Sequence, residues 1–291
     1  MASRSTRVDS QTEVNCLKSN QEETDTRLVL YINRAQEQGY ERVVVRSPDS
    51  DVFFILLYYA HTFQLTILFD TGSGNKRRLL NITEIAGELG DQYCQCLIGL
   101  YVFTGEDANF AFKGKGKVTP LKKLEKRPRY QASFQRLGDN WDLDNELVDQ
   151  LENMYGYPRM CSTDDVRAVM VKKMVGDGDT ITTSPKIDLS KLPPCRRSLL
   201  PHIKRVNYRV AQWKRSHIKT LEVPAPKDHG WALNEDILEP VWSEGPVMPS
   251  KVVYILASDM GDQQDNEDDS DLDDPDYQCP FSSDEGSDSD I

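Results

Sequence analysis

The chain has 291 residues, 38% of them hydrophobic, which is enough to bury one full hydrophobic core and leaves room for a lesser second one. Its formal net charge of −12 is concentrated in residues 258–291, where 14 side chains are acidic and none is Lys or Arg, so the remainder has 33 acidic and 35 basic side chains. Six scattered cysteines argue against a small disulfide-stapled scaffold, and the lack of an apolar N-terminal segment or any long apolar run argues against a secreted or membrane-spanning protein.

The first predicted elements are a helix and a short strand. Asn20 is placed to cap the helix, Glu23 completes a capping-box pattern, and Gly39 is placed to end it. The three valines of Arg42–Arg46 form a β-branched run, which predicts a short buried strand. Pro48 has no N–H to donate, so the strand is expected to end before it.

Two carboxylates, Asp49 and Asp51, follow that strand directly. They precede an apolar run that predicts a buried helix over residues 51–61. Because α/β sheets place their sites at the carboxyl ends of parallel strands, this pair indicates a metal site. The structural alternative is that Asp49 or Ser50 simply caps the helix.

The next part of the chain has turn and helix signals. The pattern predicts a strand at 64–69, a glycine turn at 70–75 and a second strand at 77–82, which together form a hairpin at the sheet edge. Two helices are predicted to follow, at 83–89 and 92–103. Cys94 and Cys96 lie two residues apart in the last helix, without a second pair at zinc-finger spacing, so we expect buried thiols rather than a zinc site.

Residues 113–136 form a basic segment with nine basic side chains and one acidic residue, Glu125. Such a run is usually a solvated face, but it also suits a phosphate backbone, and the sequence leaves both interpretations open. The lysines that would contact nucleic acid are Lys113, Lys115, Lys117, Lys122 and Lys123.

The C-terminal half is predicted to be helical and irregular. The pattern predicts helices at 143–154 and 162–174, a linker at 176–194, and an amphipathic helix with a basic outer face at 198–213. Two further segments, at 238–242 and 251–257, are predicted to be short strands or packing arms. The acidic residues 258–291 have the composition of a disordered tail.

Three acidic clusters stand at the ends of predicted elements: Glu22/Glu23/Asp25, Asp49/Asp51 and Glu106/Asp107. Acids at a helix start also complement the helix dipole, which is the structural alternative for the first cluster. Mg²⁺ and Mn²⁺ prefer carboxylate oxygens, and two such ions can stabilise both oxygens of a phosphoryl displacement. The clusters therefore indicate a divalent-metal site.

The ordered set of motifs resembles the PIN-like and flap-endonuclease superfamily, and more closely a large, mostly uncharacterised animal family with that domain. The resemblance covers roughly residues 18–257. It rests on the segments Glu22–Arg27, Arg46–Asp51, Phe69–Gly72, Phe112–Lys117, Leu192–Pro194, Asn207–Trp213 and His229–Trp231.

The resemblance implies a three-layer α/β/α domain with a mainly parallel sheet. It implies a partial PIN-like domain over residues 20–136, after a polar segment at 1–19 and before a helical extension at 137–257. PIN-like nucleases begin with a central strand that ends in a metal-binding Asp, and no apolar strand precedes Asn20, so the resemblance implies an N-terminally truncated domain.

The implied function is divalent-metal-dependent hydrolysis of DNA or RNA, in a reducing, intracellular compartment with the nucleus favoured. Asp49, Asp51 and Asp107 would be the catalytic carboxylates, and Mg²⁺ or Mn²⁺ would be held by Glu22, Asp25, Asp49, Asp51 and Asp107. The alternative is a non-catalytic nucleic-acid-binding or adaptor protein on a degenerate nuclease scaffold. The predicted partner is nucleic acid, and no membrane contact is expected.

Overall fold

The computed structural model describes residues 17–155, 162–175, 192–248, 250 and 253–254. These residues contain α-helices and two small β-sheets, which confirms the predicted α/β class. They fall into two compact units, the first drawn from Met1–Ile98 with Arg209–Pro224 and the second from Gly99–Tyr208 with Ala225–Ile291. No helix in the described ranges combines the length and apolarity needed to cross a membrane.

The described residues contain nine α-helices. They are α1 (Thr24–Glu37), α2 (Ser50–Tyr59), α3 (Ile82–Leu89), α4 (Asp91–Phe103), α5 (Val118–Lys126), α6 (Pro128–Arg136), α7 (Asn145–Glu152), α8 (Thr163–Val175) and α9 (Arg196–Lys214). The strands are β1 (Arg42–Arg46), β2 (Thr66–Thr71), β3 (Arg78–Asn81), β4 (Trp231–Asn234) and β5 (Ile237–Pro240). The predicted helices of this part of the chain are confirmed to within a few residues.

Several predicted segments lie outside the described residues, namely most of the polar N-terminus, most of the linker and the acidic tail, at 1–16, 176–191 and 258–291. The short strand or packing arm predicted at 251–257 is described only at Val253 and Tyr254, which are helical rather than extended. The predicted domain boundary after residue 136 coincides with the end of α6, inside the second unit.

The main sheet has the order β1-β2-β3. Strands β1 and β2 are parallel, with Val45 opposite Phe69, whereas β2 and β3 are antiparallel, with Phe69 opposite Leu80. The predicted hairpin at the sheet edge is therefore confirmed. The sheet is mixed rather than mainly parallel as predicted, because the short glycine turn can join only antiparallel neighbours.

The prediction of a buried β1 was wrong for part of the strand. Val45 is buried, but the side chain of Val44 is 58% exposed on the opposite face, which also carries the exposed Leu79 of β3. Strand side chains alternate between faces, so burying Val44 as well as Val45 would require cover on both faces. Among the described residues β1 is an edge strand, and the three-layer arrangement remains a prediction.

The core of the first unit is built around α2. Ile55, Leu56 and Leu57 are almost completely buried, as the apolar run predicts, whereas Phe53, Phe54 and Tyr58 are half-buried. Val29 of α1 and Ile67 of β2 are also fully buried in this unit. Each such side chain contributes roughly 1.5–3 kcal/mol relative to exposure.

The predicted cap of α1 was wrong. Glu23 occupies the N-cap position without a side-chain hydrogen bond to the helix, and it forms an ion pair with Arg209. Asn20 instead pairs with the backbone of Leu221, donating to its oxygen at 2.8 Å and accepting from its N–H at 2.9 Å. Gln21 donates to the oxygen of Ile218 at 2.7 Å. These side chains attach the start of α1 to residues 218–221 rather than capping the helix.

An aromatic cluster forms the core of the second unit around Phe103. The ring of Phe103 lies 5.3 Å from that of Phe134 and is stacked on that of Tyr155 at 5.5 Å. The imidazole of His202 packs 4.9 Å from the ring of Phe112, and its Nε2 lies 2.9 Å from the carbonyl oxygen of Phe103. Since that oxygen is an acceptor, Nε2 carries the proton and donates.

The buried His202 makes the stability of the protein depend on pH. Burial lowers the pKa of His202 from 6.5 to about 4. In the unfolded chain His202 is protonated below about pH 6.5, whereas in the folded chain it stays neutral down to about pH 4. The free energy of unfolding therefore falls as the pH falls from 6.5 to 4. Between pH 7 and pH 5, we expect the free energy of unfolding of wild type to fall by about 2 kcal/mol more than that of the His202→Gln variant. Urea unfolding at the two pH values measures both. Equal losses in the two proteins would contradict this assignment.

Candidate metal centre

The end of β1 and the start of α2 place two aspartates together. The hydroxyl of Ser47 accepts from the N–H of Asp49 at 3.1 Å, and Asp49 Oδ1 accepts from the N–H of Asp51 at 2.9 Å. Asp49 is thus the N-cap of α2, and the structural alternative raised by the sequence is confirmed for this residue. Asp51 lies in the first helical turn and is 3% exposed. The capping hydrogen bond uses Oδ1 of Asp49, so Oδ2 is the oxygen that could bind a metal ion.

A third carboxylate completes an acidic group that could hold a metal ion. One carboxylate oxygen from each of Asp49, Asp51 and Asp107 lies within 4.8 Å of the other two. These are the three residues that the sequence singles out as catalytic. Glu22 and Asp25, the other predicted ligands, do not belong to this group.

The donor set of this acidic triad fits a hard divalent cation. Three carboxylates supply only oxygen donors, which is the chemistry that Mg²⁺ and Mn²⁺ prefer. Around an octahedral Mg²⁺, ligand oxygens lie about 3.0 Å apart when adjacent and about 4.2 Å apart when opposite. The limit of 4.8 Å on the separations of the carboxylate oxygens is of the same order.

A braced turn carries Asp107. Glu106 and Asn109 exchange two backbone hydrogen bonds, and the carboxylate of Glu106 also accepts from the N–H of Ala108 and from the amide of Asn109. Gly105 has a φ of +112°, and a Cβ there would lie 2.9 Å from Ala111. Glu106 therefore has a structural role, whereas the side chain of Asp107 is exposed.

The first acidic cluster lies beside α1. Glu22 is exposed just before the helix, and Asp25 lies in its first turn, where a carboxylate complements the helix dipole. The ion pair with Arg209 accounts for Glu23. The structure thus brings together the second and third clusters predicted from the sequence, and gives the first cluster a structural explanation.

A buried carboxylate that the sequence did not single out as a site residue is Asp70, at the end of β2. Arg77 donates to both of its oxygens, at 2.8 and 2.7 Å, and Arg46 of β1 donates to Oδ2 at 2.8 Å. These hydrogen bonds, chiefly from Arg77, lower the pKa of Asp70 to about 2. The signal in the sequence was weak, because Asp70 precedes a glycine turn and looks like an ordinary turn residue.

The five lysines predicted to contact nucleic acid fall into three groups. Lys113 and Lys122 are exposed, as a phosphate contact requires. Lys115 is buried, so its ammonium group is not presented to solvent. Lys117 donates to the oxygen of Gly105 at 2.9 Å, and Lys123 to that of Met154 at 2.7 Å. For these last two, contact with phosphate would compete with an internal hydrogen bond.

The two thiols of α4 are buried and protonated. Cys94 and Cys96 are both buried, as predicted. Burial raises the pKa of each thiol to about 11, which keeps it protonated at neutral pH.

Comparison of the chain with protein-family models, with curated proteins and with solved structures found no significant match. The functional argument therefore rests on the motifs and on the geometry of the acidic triad.

Proposed function

We propose that the chain is a PIN-like, divalent-metal-dependent nuclease that hydrolyses phosphodiester bonds in DNA or RNA. The observation that supports this most directly is the acidic triad, whose carboxylate oxygens lie within 4.8 Å of one another. Mg²⁺ or Mn²⁺ held there would supply Lewis-acid chemistry, by polarising a phosphoryl oxygen and activating water for attack.

The three carboxylates would hold the cation from restrained positions. Asp51 is buried, so its side chain loses little freedom on binding. Asp49 is held by its capping hydrogen bond and offers its second oxygen. The turn that carries Asp107 is braced by Glu106 and Asn109. Restrained ligands of this kind favour a defined coordination geometry.

A second candidate function is nucleic-acid binding without catalysis, on a degenerate nuclease scaffold. It is favoured by the position of β1, which has a partner on one side only within the described residues. In PIN-like nucleases the strand on the other side ends in a further metal-binding aspartate. The described residues supply three carboxylates to the acidic triad, and a site with three holds its cation less tightly than a site with four.

A cleavage assay tests the proposal. The purified chain is incubated with single-stranded DNA, flap DNA and single-stranded RNA, in Mn²⁺ and separately in EDTA. We expect cleavage of at least one substrate in Mn²⁺ and none in EDTA. Binding of the same substrates without cleavage in Mn²⁺ would favour the second candidate function, and cleavage that persists in EDTA would overturn the metal-dependent chemistry.

A further inference from the structure

We propose that Phe110 and Trp242 form a stacking platform for the bases of single-stranded nucleic acid. The proposal rests on the proposed function in one respect, which is that the ligand is a nucleic acid. It adds the strand class and the residues that distinguish bases from the bare sugar-phosphate backbone.

The two rings form an exposed aromatic pair in the second unit. Phe110 is 60% exposed and Trp242 is 58% exposed, yet their ring centroids lie only 5.2 Å apart, with 47° between the ring planes. Large aromatic side chains are usually removed from water, so an exposed pair in contact indicates a binding surface. Because the planes are tilted, the rings do not cover each other as parallel rings would.

Both rings are carried by backbone that is already ordered. Phe110 directly follows Asn109, which is fully buried and tied to Glu106. On the other side, the carbonyl of Val241 accepts from Arg205 Nη1 at 2.7 Å, and the N–H of Val241 donates to the oxygen of Gly230 at 2.9 Å. A platform held in this way loses little conformational entropy when a base stacks on it.

Each of the two aromatic residues has an exposed cationic side chain near the segment that carries it. Lys113 is exposed three residues after Phe110. Arg197 is exposed as well. Its carbonyl oxygen accepts from the N–H of Glu244, and its guanidinium lies beside Gly245. Arg197 is therefore next to the segment that carries Trp242. Aromatic rings for the bases together with cations for the phosphates are the combination that binds single strands with little sequence preference.

The ligand class follows from this chemistry. In a duplex the base faces are already stacked, whereas a single strand leaves them free to stack on protein rings. The exposed apolar residues of the β4–β5 hairpin, Leu233, Ile237 and Leu238, are aliphatic and have no aromatic face on which a base could stack. A protein partner would suit that hairpin, and the aromatic pair with its cations favours single-stranded nucleic acid.

The test compares two strands of equal charge on the full chain. Fluorescence anisotropy measures binding of an oligo(dT) of about 20 nucleotides and of an abasic strand of the same length, in EDTA so that cleavage plays no part. We expect Phe110→Ala with Trp242→Ala to weaken oligo(dT) binding about tenfold and to leave abasic binding within about twofold. Phe110→Tyr with Trp242→Phe keeps both rings and should retain wild-type affinity.

Tyr40→Ala is the matched control, because it removes an aromatic ring that is also 58% exposed but lies in the first unit. It should change neither affinity. The platform would be overturned if the double alanine variant lost affinity equally for both strands, or if its affinity for oligo(dT) were unchanged. It would also be overturned if wild type did not bind oligo(dT), or if the variant changed its oligomeric state and not its binding. Since the assay contains no divalent metal, failure of the nuclease chemistry does not affect its outcome. A platform that fails while Mn²⁺-dependent cleavage persists would leave the proposed function intact.

Discussion

Replacement of Asp49 and Asp51 together by asparagine is expected to reduce Mn²⁺-dependent cleavage by at least about 100-fold, since loss of partners that only orient metal ligands already costs 10–100-fold. The physical reason is loss of two of the three carboxylates that could hold the cation. Asparagine has nearly the shape of aspartate and is as good an N-cap, so α2 should keep its start. The measurement is the initial cleavage rate, with circular dichroism in EDTA to check that the variant is folded.

Metal binding provides a second readout for the same variant. Saturating Mn²⁺ should raise the melting temperature of wild type, because a ligand at 100 times its dissociation constant stabilises the folded state by about 2.7 kcal/mol. The double variant should lose that shift. The matched control is Asp144→Asn, since Asp144 also caps a helix, through its hydrogen bond to the N–H of Leu147, but lies outside the acidic triad. Cleavage that survives in the double variant would rule out catalysis by this site.

Substitution of Gly230 by alanine is expected to destabilise the protein by about 3 kcal/mol, through backbone strain and a steric clash. Gly230 has a φ of +93°, and a Cβ there would lie 2.4 Å from the carbonyl oxygen of Pro201 and 2.6 Å from Cγ of Arg205. The first of these atoms belongs to the backbone of α9 and cannot rotate away. The change is measured as the free energy of unfolding in urea, followed by tryptophan fluorescence.

The control for this prediction separates strain from clash. Gly114 also has a positive φ, +71°, and lies in the same unit, but a Cβ there would meet nothing within 4 Å. Gly114→Ala should therefore cost only the left-handed backbone conformation, about 1 kcal/mol. Equal losses in the two variants would show that α9 moves aside and that the close approach at Gly230 is unimportant for stability.

The elements around the candidate site are predictable from the sequence because they obey short-range rules. Consecutive β-branched valines favour β1, and Pro48 cannot extend it. Asp49 is suited to cap a helix, and the apolar run after Asp51 predicts a buried α2. Even the break between α5 and α6 has a local cause, since Pro128 forces Arg127 into an extended conformation.

Sequence spacing could not decide the surroundings of individual charged side chains. Asp70 and Asp51 are both acidic residues near strand ends, but two arginines bind Asp70, whereas Asp51 joins the acidic triad. A single glycine separates Lys113 from Lys115, yet Lys113 is exposed and Lys115 is buried. Such differences depend on residues distant in the chain.

What the sequence determined by itself is the α/β class, the strands of the main sheet, most of the helices and the acidic residues that stand at their ends, since all of these follow from local backbone preferences and hydrophobic periodicity. It did not predict α5 and α6, which lie within the basic segment at residues 113–136. Tertiary structure decided the rest. It left Val44 exposed on one face of the sheet, paired Asp70 with two arginines, and brought Phe110 against Trp242. The physical reason is that burial and proximity between residues far apart in the chain are properties of packing, which no local pattern encodes.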